Sequence, residues 1–206
     1  MFSYKQSYDK SISDELKRRF WKEVEVLEQE GFRFFSLHEE TLWPFSVILF
    51  FPVYVLMATN EYVRVKPPLR ITSYHLIYVS KEGATFAYVY GLGCKFYTKF
   101  MDGTWLVSNT AQSIRDEKVV VQKRDTEAAT TEQVWKKHHT MVQEYQGKGM
   151  HLATPVSFEN WVEIENRFDQ SNVTSVVSLG IMWVVLLIWA IYRVVTNGVS
   201  TIDTTF

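Results

Sequence analysis

Ile12, Leu16, Phe20, Val24 and Leu27 recur at helical intervals and form one apolar stripe, with Glu15, Arg19 and Glu23 along another face. The spacing predicts an amphipathic helix over about 12–30, entered through a Ser11-Ile12-Ser13-Asp14 capping box and stopped at Gly31. Residues 1–10 ahead of it read as a loose polar lead-in. The stripe suits packing on a sheet; its other use is to lie on a bilayer surface.

After Gly31 the period changes from helical to alternating. Phe32–Leu37 suits a short strand. Leu42–Ala58 is uncharged throughout and rich in aromatic and branched residues. Pro44 and Pro52 would disturb a helix, and Pro52 divides the segment into two pieces of strand length, so buried strands are the favoured reading. A second membrane span and a re-entrant segment are the alternatives. Asn60–Arg70 reads as a polar connection, broken by Pro67-Pro68.

From Ile71 to Ser108 the pattern is that of an antiparallel meander. Ile71–Ser80 and Ala84–Tyr90 flank a Lys81-Glu82-Gly83 turn, and Gly91-Leu92-Gly93 bends the chain again. Lys95–Met101 alternates polar with apolar, and Asp102-Gly103 is a strong hairpin signal before Thr104–Ser108. Val119–Val121 adds a further edge strand. Thr130-Thr131-Glu132-Gln133 is a second capping box, opening a helix with Val134, His138, Met141, Val142 and Tyr145 on one face. Gly147 and Gly149 end it, and Pro155 and Ser157 begin a last helix whose contact side is Phe158, Trp161, Ile164 and Phe168.

That last helix runs without a breaker into Ser171–Tyr192, a stretch with no charged residue that ends at Arg193. A run of this length at 1.5 Å per residue matches a hydrocarbon core of roughly 30 Å. Tyr192 and Arg193 make an interfacial anchor. The fold class expected is therefore α+β: an antiparallel sheet packed with helices on one face, plus one C-terminal transmembrane helix. The division is a lead-in at 1–10, an α+β cytoplasmic domain at 11–170, a transmembrane helix at 171–193 and a short tail at 194–206.

Composition narrows the chemistry. Lysine and arginine number 22 and aspartate and glutamate 23, with no basic run beyond Lys17-Arg18-Arg19, so nothing concentrates charge for a nucleic acid. Cys94 is the only cysteine, which excludes an internal disulfide and any multi-cysteine metal site. The N-terminus has no apolar core of the kind a cleaved signal peptide needs, so the domain is expected to stay in the cytoplasm.

Candidate reactive groups are few. Cys94 sits near Lys95 and Lys99, which would favour a thiolate. His138 and His139 are adjacent and lack the i, i+4 spacing of a metal pair, although His151 is in a loop that could approach them. His38-Glu39-Glu40 reads as a solvated loop or a small acid–base cluster. Gly91-Leu92-Gly93 lacks the third glycine of a dinucleotide loop, and Asn172-Val173-Thr174 is a glycosylation acceptor too close to the membrane to serve. No catalytic, cofactor or metal residue is assigned on these grounds.

The reading that follows is a membrane-anchored, non-catalytic interaction or accessory module at the cytoplasmic face. Its partners would be the lipid bilayer and another membrane or cytoplasmic protein. Ser178 and Gly180 leave room for self-association. Trp21, Trp43, Trp105, Trp135 and Trp161 are the tryptophans outside the anchor, and any exposed ones are natural contact residues. Two other readings stand beside it. One is a tethered enzyme built on Cys94 with His75 or on His138, His139 and His151; the other is an apolar-ligand or lipid sensor using 42–58.

Overall fold

The N-terminal segment is a strand. A computed structural model describes residues 2–42, 62–66, 70–90, 93–110, 114, 116–123 and 129–168, together with six positions between 182 and 192. Strand β1 (Phe2–Ser7) pairs antiparallel with β2 (Arg33–Leu42), from Phe2 opposite Leu42 to Ser7 opposite Leu37. The lead-in expectation failed because FSYKQS has little apolar alternation. A sheet edge asks less of a strand than its centre does. β2 also runs five residues beyond the expected Leu37, taking His38, Glu39 and Glu40 out of the loop and into the sheet.

The predicted single helix is two, α1 (Lys10–Arg19) and α2 (Trp21–Gln29), broken at Phe20. The cap is Asp9, whose carboxylate accepts from the Ser11 and Ile12 amides, so the Ser11 box is not the entry. Ile12, Leu16, Val24 and Leu27 are buried against the sheet, which settles the stripe as core and not as a bilayer-surface face. Gly31 does stop the helix, with φ +82°.

β3 (Tyr62–Lys66) lies inside the expected polar connection and pairs with the first half of β4 (Arg70–Val79). Its alternating valines, Val63 and Val65, suffice once β4 offers a free edge there. β5 (Thr85–Tyr90), β6 (Gly93–Lys99) and β7 (Trp105–Thr110) continue the antiparallel meander as expected, with Gly103 at φ +84° in the hairpin. β8 (Val119–Lys123) is the edge strand predicted, but it pairs parallel to β7, so the sheet is mixed. Strand order is β1-β2-β4-β5-β6-β7-β8, with β3 beside β4 off that path.

Helix α3 (Thr131–Gly147) carries the predicted capping box in full: the Thr130 hydroxyl accepts from the Gln133 amide at 3.3 Å, and Gln133 Oε1 accepts from the Thr130 amide at 2.9 Å. Thr130→Ala is expected to lower stability by about 1 kcal/mol in urea unfolding. The last helix, α4 (158–168), is opened by a similar exchange between Ser157 and Asn160.

Helices cover both sheet faces, not one. Leu76, Tyr78, Ala87, Val89 and Phe96 pack with α1, α2 and Val134 of α3. Their alternates Ile77, Phe86, Tyr88 and Tyr97 pack with Trp161, Ile164 and Phe168 of α4. Period-2 alternation within each strand makes both faces apolar, so both need a cover. Among the described residues no helix is long and apolar enough to cross a membrane. The 171–193 segment lies outside them except for Met182, Val185, Leu186, Ile188, Trp189 and Tyr192, all helical. The Leu42–Ala58 segment, beyond Leu42 itself, also lies outside them, as do Trp43 and the Asn172-Val173-Thr174 acceptor.

Candidate functional site: a half-buried acid–base cluster under the last helix

The α4 face of the sheet concentrates polar groups where an all-apolar core would serve. In a strand, residues two apart share a face. His38 and Glu40 on β2, Ser73 and His75 on β4, and Lys95 and Tyr97 on β6 are three such pairs; register sets the first two side by side, and β5 lies between β4 and the third. His38 lies opposite His75, and Glu40 opposite Ser73. Glu39, the middle residue of the expected cluster, belongs to the other face.

Glu40 Oε2 is 3.7 Å from His75 Nε2 and accepts from Ser73 Oγ at 3.5 Å; Ser73 Oγ and His75 Nε2 are 3.2 Å apart. Burial pushes the Glu40 carboxyl up to about 7, although Lys95 and the Ser73 hydroxyl pull the other way. From the helix side, Glu165 accepts a hydrogen bond from the Tyr97 hydroxyl. Burial raises Glu165 too, opposed by Lys95 and the Tyr97 bond and reinforced by Glu40. Tyr97 is held well above its ordinary value by burial and by Glu165. Lys95 thus pulls both carboxyls down, and His75 does the same to Glu165. Lys95 also lies over the rings of Tyr88 and Tyr90, at 5.8 and 5.3 Å.

His38 forms the floor. It is fully buried, and rings of Tyr4, His75, Tyr88, Phe158 and Trp161 stand around it, Trp161 nearest at 4.2 Å between centroids. Both its ring nitrogens and the Trp161 Nε1 lack a hydrogen-bond partner. Burial, and then the neighbouring His75, hold His38 well below its ordinary value, so it is neutral.

A serine, a histidine and a glutamate in contact invite comparison with a nucleophilic triad. The geometry departs from one. Serine and carboxylate both approach the same nitrogen, His75 Nε2, whereas a triad needs the carboxylate on the opposite nitrogen to orient the base. What this arrangement offers is a carboxyl, Glu40, whose hold on a proton burial strengthens toward neutral pH.

The other candidates are dispersed. Cys94 is buried with the α1–α3 core, its thiol pushed up by burial and contacted by Thr131 Oγ1 at 3.8 Å, on the opposite face from His75. His138 is buried under α3. Its Nδ1 lies 2.7 Å from Ser108 Oγ and its Nε2 2.8 Å from Thr98 Oγ1. The Ser108 hydroxyl donates to Gln122, so Nδ1 carries the proton and Nε2 accepts from Thr98, whose oxygen meets Thr85 at 2.7 Å. This chain ties β5, β6, β7 and β8 to α3, and burial lowers His138 to about 3. His139 and His151 are exposed, and His139 meets Gln143. No group of three or more metal-ligating side chains gathers among the described residues. Gly91 and Leu92 lie outside them; Gly93, at φ +115°, opens β6 as a turn residue.

Of the tryptophans, Trp105 and Trp161 are core, Trp135 donates to Glu30 at 3.0 Å, and Trp21 is exposed.

Comparison with protein-family models, with curated proteins and with solved structures finds no match. The functional reading therefore stands on this chain's own residues.

Proposed function

We propose that this chain is a membrane-anchored accessory module, in which residues 171–193 hold the α+β domain at the cytoplasmic face beside a membrane or cytoplasmic partner. The observation that carries the reading is the exposure of the described anchor positions. Met182, Val185, Leu186, Ile188, Trp189 and Tyr192 are helical and 46–64% exposed. They occupy one broad side of a helix. A soluble domain turns such a side inward, because each buried side chain gains about 1.5–3 kcal/mol; here it faces outward, as a bilayer would accept. Trp21, 56% exposed at the α1–α2 junction, is the exposed tryptophan among the described residues outside that segment.

Alkaline carbonate washing of membranes tests the anchor: the chain should remain in the pellet, and its release to the supernatant would overturn the reading. Gentle detergent extraction tests the partner. A companion protein at fixed stoichiometry is expected, and a chain recovered alone in every mild detergent would remove the accessory role.

A further inference from the structure

We infer that the elbow between α1 and α2 is a docking surface for an anionic lipid headgroup layer, with Trp21 entering the interface and Lys17, Arg18 and Lys22 facing the lipid phosphates. This rests on the membrane anchor proposed above, which keeps the domain beside a bilayer.

The elbow is the outward side of the helix pair whose inward stripe is core. α1 ends on Lys17, Arg18 and Arg19, and α2 begins at Trp21 and Lys22. Phe20, at the break, packs against the core, while Trp21 is left in water. Arg18, Arg19 and Lys22 are exposed beside it. Lys22 Nζ lies 5.7 Å from the centre of the Trp21 ring. Lys17 Nζ lies 4.2 Å from the centre of Phe34, an exposed ring at the margin of the same core. A cation held over an aromatic body is the amphipathic pairing that a headgroup layer accepts, the ring at the acyl boundary and the charge at the phosphates.

Charge complementarity gives the sign of the lipid. Residues 17–22 hold Lys17, Arg18, Arg19 and Lys22 and no acid. Among the described residues, Lys17, Arg18 and Lys22 have no carboxylate partner; Arg18 Nε donates to the Asp14 backbone carbonyl at 3.4 Å and not to its carboxylate. Arg19 has a partner and is not counted. Asp14 and Glu15 precede the cations, Glu23 and Glu25 follow them, and these acids weaken the attraction. Screening over about 8 Å favours the charges at the point of contact. A basic side chain at an anionic surface strengthens attachment roughly fivefold, so three give on the order of a hundredfold before the acids are counted. A tethered domain needs no more than that to stay docked.

The anchor does not hold the elbow away from the bilayer. Phe34 stands opposite Tyr78, in a row that continues through Ala87 and Phe96. That row is about 10 Å along β6 from Lys99, where Glu163 of α4 is tied. The last turn of α1 and the helix leading to 171–193 thus meet the same half of the sheet from its two faces, within reach of one membrane surface.

Hydrogen–deuterium exchange on the full chain, one copy per lipid nanodisc, tests the docking. Discs of phosphatidylcholine alone are compared with discs holding about three parts in ten phosphatidylserine. Exchange at 17–24, referenced to Thr131–Gly147, should slow at least about fivefold in the anionic discs and return to the neutral-disc rate in about 0.5 M salt. In the triple variant Lys17→Gln, Arg18→Gln, Lys22→Gln the lipid difference should vanish while α3 keeps its protection, and in Trp21→Ser it should at least halve. Equal exchange in the two lipids would overturn the inference, as would an undiminished difference in either variant. Slowing seen only with a companion protein or a second copy in the disc would also overturn it. A chain that elutes apart from the discs refutes the anchor and this docking together, whereas a chain that stays in them with no lipid difference refutes the docking alone.

Discussion

Trp161→Ala is expected to destabilise the protein by about 3–5 kcal/mol, the range for truncating a large buried aromatic side chain. Trp161 is wholly buried and meets Tyr4, His38, Tyr88 and Phe158 at once. It is the side chain through which α4 reaches β1, β2 and β5 together. Urea unfolding of the full chain in detergent measures the loss, with Val162→Ala, a smaller and only partly buried neighbour, as the comparison. A loss under about 1 kcal/mol for Trp161→Ala would mean that α4 does not close this face. Near-ultraviolet circular dichroism should change in parallel, because the Tyr88 and Phe158 rings stack on the indole.

His138→Leu is the second large effect, about 1–3 kcal/mol. It removes one hydrogen bond from each of the buried Thr98 and Ser108 hydroxyls, which keep Thr85 and Gln122 as partners, at about 0.5–1.5 kcal/mol a bond. A double-mutant cycle identifies the cause: Thr98→Val should cost less in the His138→Leu background than in the parent chain. Additive costs would place the loss in packing alone. His138 also sets an acid limit. Its ring is held neutral at about 3, so the unfolded chain takes up a proton first and stability is lost as pH falls below about 6.5. Glu40 acts with the opposite sign between about 4.5 and 7. Global unfolding therefore sums two opposed slopes.

Local rules were legible wherever the chain decides locally. The Thr130–Gln133 box, the Asp102-Gly103 hairpin and the Phe158, Trp161, Ile164, Phe168 contact side all stand as read. What escaped the sequence was decided by neighbours distant along the chain. β1 and β3 have weak strand patterns and form because β2 and β4 offer them edges. The parallel direction of β8 depends on a return path that no residue of Val119–Lys123 encodes. The second covered face was written in the alternation of β5 and β6, whose strands are buried on both sides.

The acid–base cluster was missed for a different reason. His38-Glu39-Glu40 looks like a polar run when read residue by residue. Read at strand period, His38 and Glu40 point one way, as do Ser73 and His75, and Lys95 and Tyr97. Three polar pairs at spacing two, all on the α4 face, were the available signal. Only the register of β2 against β4 turns them into one site.

The order in which the chain is synthesised gives α4 a further significance. Helices α1 and α2 and strand β2 emerge early and can shelter one side of the sheet as it grows. Among the described residues, the side bearing Phe86, Tyr88, Tyr97 and Trp105 has no such helical cover until 158–168 leaves the ribosome. Throughout that interval a broad aromatic surface is open to other nascent chains, the situation in which chaperones are recruited and aggregation begins. A ribosome stalled before Trp161 is translated would present this surface indefinitely, and the nascent domain would be at its most adhesive just before completion.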